Sequence, residues 1–252
     1  MRPLAFAACF AALPAQALEL TLTGFYELNR PASLDYDPVF CGLWIANEGP
    51  EVVLVTLDGL ELKRFGSDLF RIKAVSVEGD NLLVADGAGN FQRLTKSGGI
   101  LAEPFRTDAQ FPDTEGVVVT EDGTLITVED DPARLSWLAP DGTVIRQIDA
   151  LTLDPPLSEP QGIARDPRTG HLLIVDDWEG TNSLYEFDEN GQLLATLPLI
   201  EYGLDPEGIA IRPGAGQLFM AFDQGARIAS FEYTPTLSEG EALPPGADCM
   251  MM

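Results

Sequence analysis

The chain has 252 residues, of which 45% are hydrophobic, so it is long and apolar enough to bury a large core and is not a disordered acidic chain. Its 40 acidic residues outnumber its 15 basic residues and give a formal net charge of −25 at pH 7. Because nucleic acids and anionic membrane surfaces attract basic patches, this charge argues against both as partners; it favours cations, or it simply keeps an exported protein soluble.

Residues 1–17 have the composition of a secretory signal peptide. Arg2 is their only charged residue, residues 3–14 are small and apolar, and Ala15-Gln16-Ala17 fits an A-x-A cleavage site. The apolar run is too short to span a membrane, and no later segment is long and apolar enough to do so. We therefore predict cleavage near Ala17 and a secreted or periplasmic protein that is monomeric and has no membrane span.

The rest of the chain repeats one pattern about five times, with a period of roughly forty residues. Three well-aligned copies begin at Glu115, Gln161 and Glu207, and looser copies begin near Ser33 and Lys73. Each copy has a short first strand, a polar turn and an apolar second strand; the second strands are residues 43–46, 82–85, 125–128, 172–175 and 218–221. A repeat of this length, rich in β-forming residues, is typical of one blade of a β-propeller.

A hairpin turn separates the predicted third and fourth strands in four of the copies. The turns are Asp58-Gly59, Ser97-Gly98, Asp141-Gly142 and Asn190-Gly191. Glycine supplies the positive φ that a tight hairpin turn needs, and apolar and polar residues alternate on either side, as in half-buried strands. No segment has convincing helical periodicity, so the predicted fold is all-β.

The fifth copy ends near Tyr233 without a fourth strand, and residues 18–28 (LELTLTGFYEL) offer the missing one. An N-terminal strand that completes the last blade locks the ring and removes an exposed edge. We therefore predict a single β-propeller domain over residues 18–233 with about five four-stranded blades, followed by a coil tail over residues 234–252. The alternative is a six-bladed ring in which residues 18–30 begin a degenerate extra blade.

Two cysteines, Cys41 and Cys249, remain once the signal peptide is removed. In an oxidising compartment they can form one disulfide that ties the tail to the first blade, or they can remain two thiols.

Acidic residues recur where the strands of different blades meet. First strands line the channel of a propeller, so residues just before them and just after the second strands lie near its mouth. The predicted metal ligands in these positions are Glu115, Glu129, Asp130, Asp176, Glu207 and Asp223. Carboxylates crowded into a narrow channel raise their own pKa values or bind a hard cation, and Ca²⁺ suits them because it accepts irregular oxygen sites. The alternative for each acid is to cap a turn or accept backbone N–H groups.

Several catalytic arrangements are missing from the sequence. His171 is the one histidine, which excludes a histidine-rich metal site and argues against a Ser-His-Asp triad. It precedes a second strand and is expected to be exposed. No nucleophile elbow, P-loop or dinucleotide-binding glycine motif is present. Glu129 and Asp176 are weak candidates for a general base, if their pKa values are raised.

Short phrases of the repeat resemble the SdiA-regulated family of exported bacterial propellers. They are residues 205–210 (DPEGIA), residues 114–117 (TEGV) and residues 128–131 (VEDD). The resemblance covers nearly all of the mature chain, and its motifs are shared with the wider regucalcin/gluconolactonase-like and NHL-type propellers. It implies a divalent cation, often calcium, at the channel mouth; in the gluconolactonase branch the metal polarises a lactone carbonyl and positions water.

The resemblance carries over to individual positions only in part. Glu115 and Glu207 match the glutamate of the family phrase, and Glu129, Asp130 and Asp176 match the acids after the second strand. The other three copies have Gln161, Lys73 and Ala32-Ser33 where the glutamate phrase is expected. The sequence therefore predicts a cation site on one side of the ring and leaves a complete lactonase-type site in doubt.

Three functions remain open at this point. The first is an exported propeller that binds Ca²⁺, and a small ligand, at the channel mouth without an assigned reaction. The second is a metal-dependent hydrolase of lactones or phosphoesters. The third is a periplasmic scaffold for protein interactions, since propellers serve many unrelated functions. A response to calcium, turnover of a substrate or capture of a protein partner would distinguish them.

Overall fold

Five antiparallel sheets of four strands each make up the β-propeller, as shown by a computed structural model that describes residues 15–28 and 31–249. The chain begins with β1 (Glu19–Glu27). Blade 1 follows with β2 (Ser33–Asp37), β3 (Gly42–Ala46), β4 (Glu51–Thr56) and β5 (Glu61–Gly66). Blade 2 contains β6 (Ala74–Glu78), β7 (Asn81–Ala85), β8 (Asn90–Thr95) and β9 (Phe105–Arg106).

The remaining three blades correspond to the three well-aligned copies of the repeat. Blade 3 contains β10 (Thr114–Val119), β11 (Leu125–Asp130), β12 (Ala133–Leu138) and β13 (Val144–Asp149). Blade 4 contains β14 (Pro160–Arg165), β15 (Leu172–Asp176), β16 (Ser183–Phe187) and β17 (Leu193–Pro198). Blade 5 contains β18 (Pro206–Arg212), β19 (Gln217–Phe222), β20 (Arg227–Thr234) and β1. The predicted all-β fold and the count of five blades are confirmed; the six-bladed alternative is wrong.

The ring is closed by the N-terminal strand, as the sequence predicts. β1 pairs antiparallel with β20, with Glu19 opposite Thr234 and Glu27 opposite Arg227. β1 supplies the outer strand that the fifth copy lacks, so the two ends of the propeller sequence share one sheet and the outer edge of β20 is paired.

The strands in the middle of each blade are buried on both faces. In β11, Ile126 packs with Ile163 and Ile174 of blade 4, whereas Leu125 packs with Ala85 and Phe91 of blade 2. A strand that is covered on both sides reads as a continuous apolar run and not as an alternating one. This packing explains why the second strands are the easiest elements of the repeat to recognise in the sequence.

Glycines bring the first strands of neighbouring blades close together around the axis. A Cβ on Gly116 would lie 2.7 Å from the carbonyl oxygen of Gln161, and one on Gly208 would lie 2.8 Å from the backbone nitrogen of Leu34. A Cβ on Gly162 would overlap the carbonyl oxygen of Glu207. Ala74 occupies the matching position in blade 2. The glycine of the repeated Glu-Gly phrase is therefore a packing requirement of the narrow channel.

The tail after β20 is irregular but attached to the propeller. The backbone nitrogen of Thr236 donates to both carboxylate oxygens of Glu186 at 3.1 Å. In the uncleaved chain, Leu237 also pairs with Gln16 across an isolated bridge, which the predicted cleavage near Ala17 would remove. The predicted signal peptide falls mostly on residues 1–14, which lie outside the described residues, so it stays a prediction. Within the described ranges, no helix is long and apolar enough to cross a membrane.

Cys41 and Cys249 lie next to each other at the junction of the tail with blade 1. Their Cα atoms are 5.2 Å apart, inside the range of about 4.4 to 6.8 Å that disulfides span. We expect the mature protein to gain no mass from an alkylating reagent before reduction, and two alkyl groups after reduction, as measured by intact mass spectrometry. Two alkylated thiols without reductant would contradict the pairing.

Candidate functional site

The acids of the repeat gather at one end of the channel, which we call the upper mouth: the end at which the first strands begin and the second strands end. The first strands of blades 3, 4 and 5 begin at Thr114, Pro160 and Pro206, and their second strands end at Asp130, Asp176 and Phe222. The antiparallel pairing of each first strand with its second strand places these ends side by side.

Three carboxylates come together over blade 3. Asp113, Glu115 and Asp130 each have one oxygen within 4.8 Å of the others. Glu115 belongs to β10, Asp113 directly precedes the first residue of β10, and Asp130 is the last residue of β11. The pairing of β10 with β11 therefore holds the three residues in place. We call these residues the blade 3 cluster. Glu115 and Asp130 were predicted as ligands, whereas Asp113 was missed.

Lys73, which stands where the well-aligned copies of the repeat have Glu or Gln, supplies a counter-ion to the blade 3 cluster. The Lys73 ammonium pairs with Glu115, and only 15% and 6% of the two side chains are exposed. Arg134 pairs in the same way with the buried Glu129 and also donates to the carbonyl oxygen of Phe111 at 2.9 Å. Two of the acids over blade 3, Glu115 and Glu129, are thus paired with basic side chains of the protein.

Asp113 and Asp130 have no ion-pair partner within the described residues, although the charge of the nearby Lys73 acts to lower the pKa of Asp113. Burial, followed by the hydrogen bond and charge of Asp130, outweighs this and raises the pKa of Asp113 to about 6. Carboxylates within 4.8 Å of each other repel, and a shared proton or a cation between them relieves the repulsion. Moreover, one buried oxygen of Asp130 and one of Glu129 have no hydrogen-bond partner within the described part of the chain. Both oxygens can therefore accept a further donor or a cation.

Glu207 and Asp223 occupy a second position at the upper mouth. They line a small cavity of about 70 Å³ together with Glu48, which pairs with Arg71. Burial, followed by the charges of Asp205 and Asp223, raises the pKa of Glu207 to about 8. Glu207 is therefore mostly protonated at pH 7, and neither it nor Asp223 belongs to the blade 3 cluster.

Asp176, another of the predicted ligands, accepts hydrogen bonds from two loops. One of its carboxylate oxygens accepts hydrogen bonds from the backbone nitrogens of Ser158 and Glu159, at 3.1 and 2.7 Å. The other accepts from the backbone nitrogen and the hydroxyl of Thr181, at 2.5 and 2.6 Å. The carboxylate thus holds two loops together, which is the backbone-capping alternative, and it lies outside the group that we propose as a site.

A signal for the missed Asp113 exists in the sequence. An acid stands two residues before the repeated Glu or Gln in all three well-aligned copies: Asp113, Glu159 and Asp205. Burial is the first cause that raises the pKa of each, to about 6 for Asp113 and Asp205. In blade 2 the same position holds Arg71, so the acids of the upper mouth belong mainly to blades 3, 4 and 5.

His171 lies at the opposite end of the blade from these acids. Its expected exposure is wrong: only 16% of the side chain is exposed, and its Nδ1 lies 2.9 Å from a carboxylate oxygen of Glu186. Since Glu186 also accepts from Thr236, the histidine belongs to the contacts that hold the tail.

No family model and no curated protein matches the chain. Among solved structures it is similar to glutaminyl cyclase from Myxococcus xanthus, at 12% identity over 89% of this chain and 100% of that chain, with a TM-score of 0.69. It is also similar to the WD40 β-propeller domain of Doa1, at 13% identity over 79% and 62% of the two chains, with a TM-score of 0.53. Virginiamycin B lyase from Staphylococcus aureus has 16% identity over 82% and 66% of the two chains, with a TM-score of 0.52. At these identities the likeness shows that the chain is a β-propeller and gives no information on its chemistry.

Proposed function

We propose that this protein binds a divalent cation, Ca²⁺, at the blade 3 cluster. The observation that carries the proposal is the grouping of Asp113, Glu115 and Asp130, each of which has one carboxylate oxygen within 4.8 Å of the others. A cation between the three carboxylates relieves their mutual repulsion and uses the buried oxygen of Asp130 that lacks a partner.

The chemistry of the donor set fits a hard cation. The three ligands offer only carboxylate oxygens, and the side-chain amide of Gln161, 3.5 Å from Asp130, can add a carbonyl oxygen when it is turned over. Water would complete the roughly six to eight oxygens that Ca²⁺ takes. Lys73 opposes binding, since its ammonium already pairs with Glu115. Weak affinity for Ca²⁺ suits an extracellular or periplasmic protein. We also propose that residues 1–17 direct the export of the chain.

Calcium is expected to raise the melting temperature and to bind with measurable heat in calorimetry. At a hundredfold excess over the dissociation constant, it would add about 2.7 kcal/mol to the free energy of unfolding. Asp130→Asn is expected to weaken binding about tenfold or more, because it removes a ligand charge. Lys73→Gln is expected to strengthen binding, because it releases Glu115 and removes a nearby positive charge.

The opposite signs of these two variants separate a specific site from general attraction to an acidic protein. Asp80→Asn, an exposed acid at the other end of the channel, is the matched control and should leave the affinity unchanged. Identical melts in calcium and in EGTA for the unmodified protein would refute the site. So would a loss of affinity in Asp80→Asn as large as that in Asp130→Asn.

A metal-dependent hydrolase of lactones or phosphoesters is the second candidate function. It is favoured by Glu207, which holds a proton at neutral pH at the same mouth and can donate it to a leaving group. A panel of lactones and phosphoesters with Ca²⁺, Mn²⁺ and Zn²⁺ tests it. Rates no higher than those of the Glu207→Gln variant would rule it out.

A further inference from the structure

The opposite end of the channel, which we call the lower mouth, opens into a cavity of about 450 Å³ that the proposed function does not use. Its wall is largely apolar and includes Val77, Val118, Val119 and Ile211, from the first strands of blades 2, 3 and 5. Asp35, from the first strand of blade 1, contributes a carboxylate to this wall. A cavity of this size, in which apolar walls surround polar groups, is typical of a site for a small molecule.

Hydrogen bonds from the neighbouring strand β6 and from its own strand β2 hold the Asp35 carboxylate in one orientation. One oxygen accepts from the backbone nitrogen of Val77 at 2.6 Å and from the hydroxyl of Ser76 at 3.2 Å; the other accepts from the backbone nitrogen of Tyr36 at 2.8 Å. A carboxylate has about four acceptor positions, so Asp35 can accept a further donor. The orienting bonds come from the scaffold, which makes the carboxylate a pre-organised partner.

The charge of Asp35 is not compensated within the described residues. The nearby Asp37 pairs with Lys96 at 2.9 Å, whereas Asp35 has no ion-pair partner. Burial raises the pKa of Asp35 to about 6, as expected for a carboxylate without a cation beside it. Two further acids line the cavity, Asp80 and Glu121. The basic residues of the wall are Arg165, which makes no ion pair within the described chain, and Lys96, whose charge is compensated by Asp37. The cavity therefore favours a positively charged group.

We infer that the lower mouth binds a small organic ammonium ion, with its charged group at Asp35 and its apolar body against the valine wall. An ammonium supplies hydrogen-bond donors and a compensating charge at the one fixed carboxylate. The apolar body gains from leaving water for the side chains of Val77, Val118 and Ile211. An anionic ligand would meet the acids of the wall, and a metal ion would make no use of the apolar part of the wall.

The C-terminal tail forms part of this site. Ala247 lines the cavity and is held there because its carbonyl oxygen accepts from the backbone nitrogen of Gly214 at 2.9 Å. Arg212 pairs with the adjacent Asp248 at 2.7 Å. Since Ala247 lies on the exposed tail and not in the core, a larger side chain there can fill the cavity without disturbing the blades.

Calorimetry with 2-phenylethylammonium, 2-phenylethanol and phenylacetate tests the inference on the full-length protein. We expect the ammonium ion to bind about tenfold or more tightly than the alcohol, and phenylacetate to give no heat. Asp35→Asn should remove the preference for the ammonium ion over the alcohol, and Ala247→Phe should weaken the ammonium ion and the alcohol alike. Asp113→Asn should leave binding unchanged, so failure of the calcium site and failure of this site are separable.

Three results would overturn the inference: no heat from the ammonium ion at millimolar concentration, equal affinities for the ammonium ion and the alcohol, or binding that Asp113→Asn abolishes and Ala247→Phe does not. The last would place the ligand at the upper mouth. If thermal melts show that Asp35→Asn does not fold, Ala247→Phe keeps the inference falsifiable, because it alters the cavity without altering any charge.

Discussion

Replacing Gly162 with alanine is expected to lower the free energy of unfolding by about 3 kcal/mol, near the top of the range for an overpacked site. The new Cβ would overlap the carbonyl oxygen of Glu207 and lie 2.9 Å from the Cα of Gly208. Both atoms belong to the backbone of β18, so no side chain can turn aside to make room. The closed ring further limits how far one first strand can move from the next.

Gly24→Ala is the matched control for this experiment. Gly24 lies on β1, the outer strand of blade 5, and an added Cβ would meet only the hydroxyl of Ser230 at an ordinary 3.5 Å. Alanine in a strand costs less backbone entropy than glycine, so this variant should be neutral or more stable by up to about 1 kcal/mol. Unfolding in urea measures the free energy of unfolding of both variants. Equal losses of stability in the two variants would show that the glycines do not set the spacing of the channel strands.

Glu207→Gln is expected to make the protein more stable at pH 9, by about 2 kcal/mol. The pKa of Glu207 is about 8 in the folded protein, against an ordinary value of 4.5. The folded state therefore holds this proton more tightly than the unfolded chain does. The stability that protonation provides is complete below pH 4.5 and is lost as the pH rises through 8. Glutamine keeps the shape of the side chain and stays neutral, so the loss does not occur.

The measurement is urea unfolding at pH 5, 7 and 9 in the presence of a chelator, so that no bound cation offsets the charge. The full difference between the two pKa values corresponds to about 5 kcal/mol, which partial access of water to the side chain reduces. Glu232→Gln, an exposed change on β20, should change the stability by less than about 0.5 kcal/mol at every pH. Parallel pH curves for the unmodified protein and Glu207→Gln would contradict the raised pKa.

Acids at equivalent positions of the repeat make different contacts in different blades. Glu129 in blade 3 and Asp176 in blade 4 occupy equivalent positions after the second strand. In blade 3 two residues connect β11 to β12, and Glu129 pairs with Arg134. In blade 4 a longer connection, residues 177–182, brings Thr181 back to the carboxylate of Asp176. A repeat alignment predicts where these acids lie, but the loop that follows determines what each one binds.

The sequence was sufficient to predict the strands, the hairpin turns, the five blades and the closure of the ring by residues 18–28. The strands and turns depend on strand periodicity and on glycine turns, which act over short stretches of chain. Closure of the ring joins distant residues, and it was predictable because the fifth copy lacks a fourth strand and leaves an open edge to be paired. Two members of the blade 3 cluster, Glu115 and Asp130, were predicted in the same way, because their register places them at the upper mouth.

Only the tertiary structure decided which carboxylates lie close to one another and which are paired with a basic side chain. The pairing of Lys73 with Glu115 joins residues 42 positions apart in the sequence, and the grouping of Asp113 with Asp130 depends on the register of β10 against β11. The uncompensated Asp35 at the lower mouth is recognisable only once its neighbours from other blades are in place. Electrostatic pairing depends on distances that the fold sets, between blades or between paired strands of one blade, and the repeat pattern does not contain these distances.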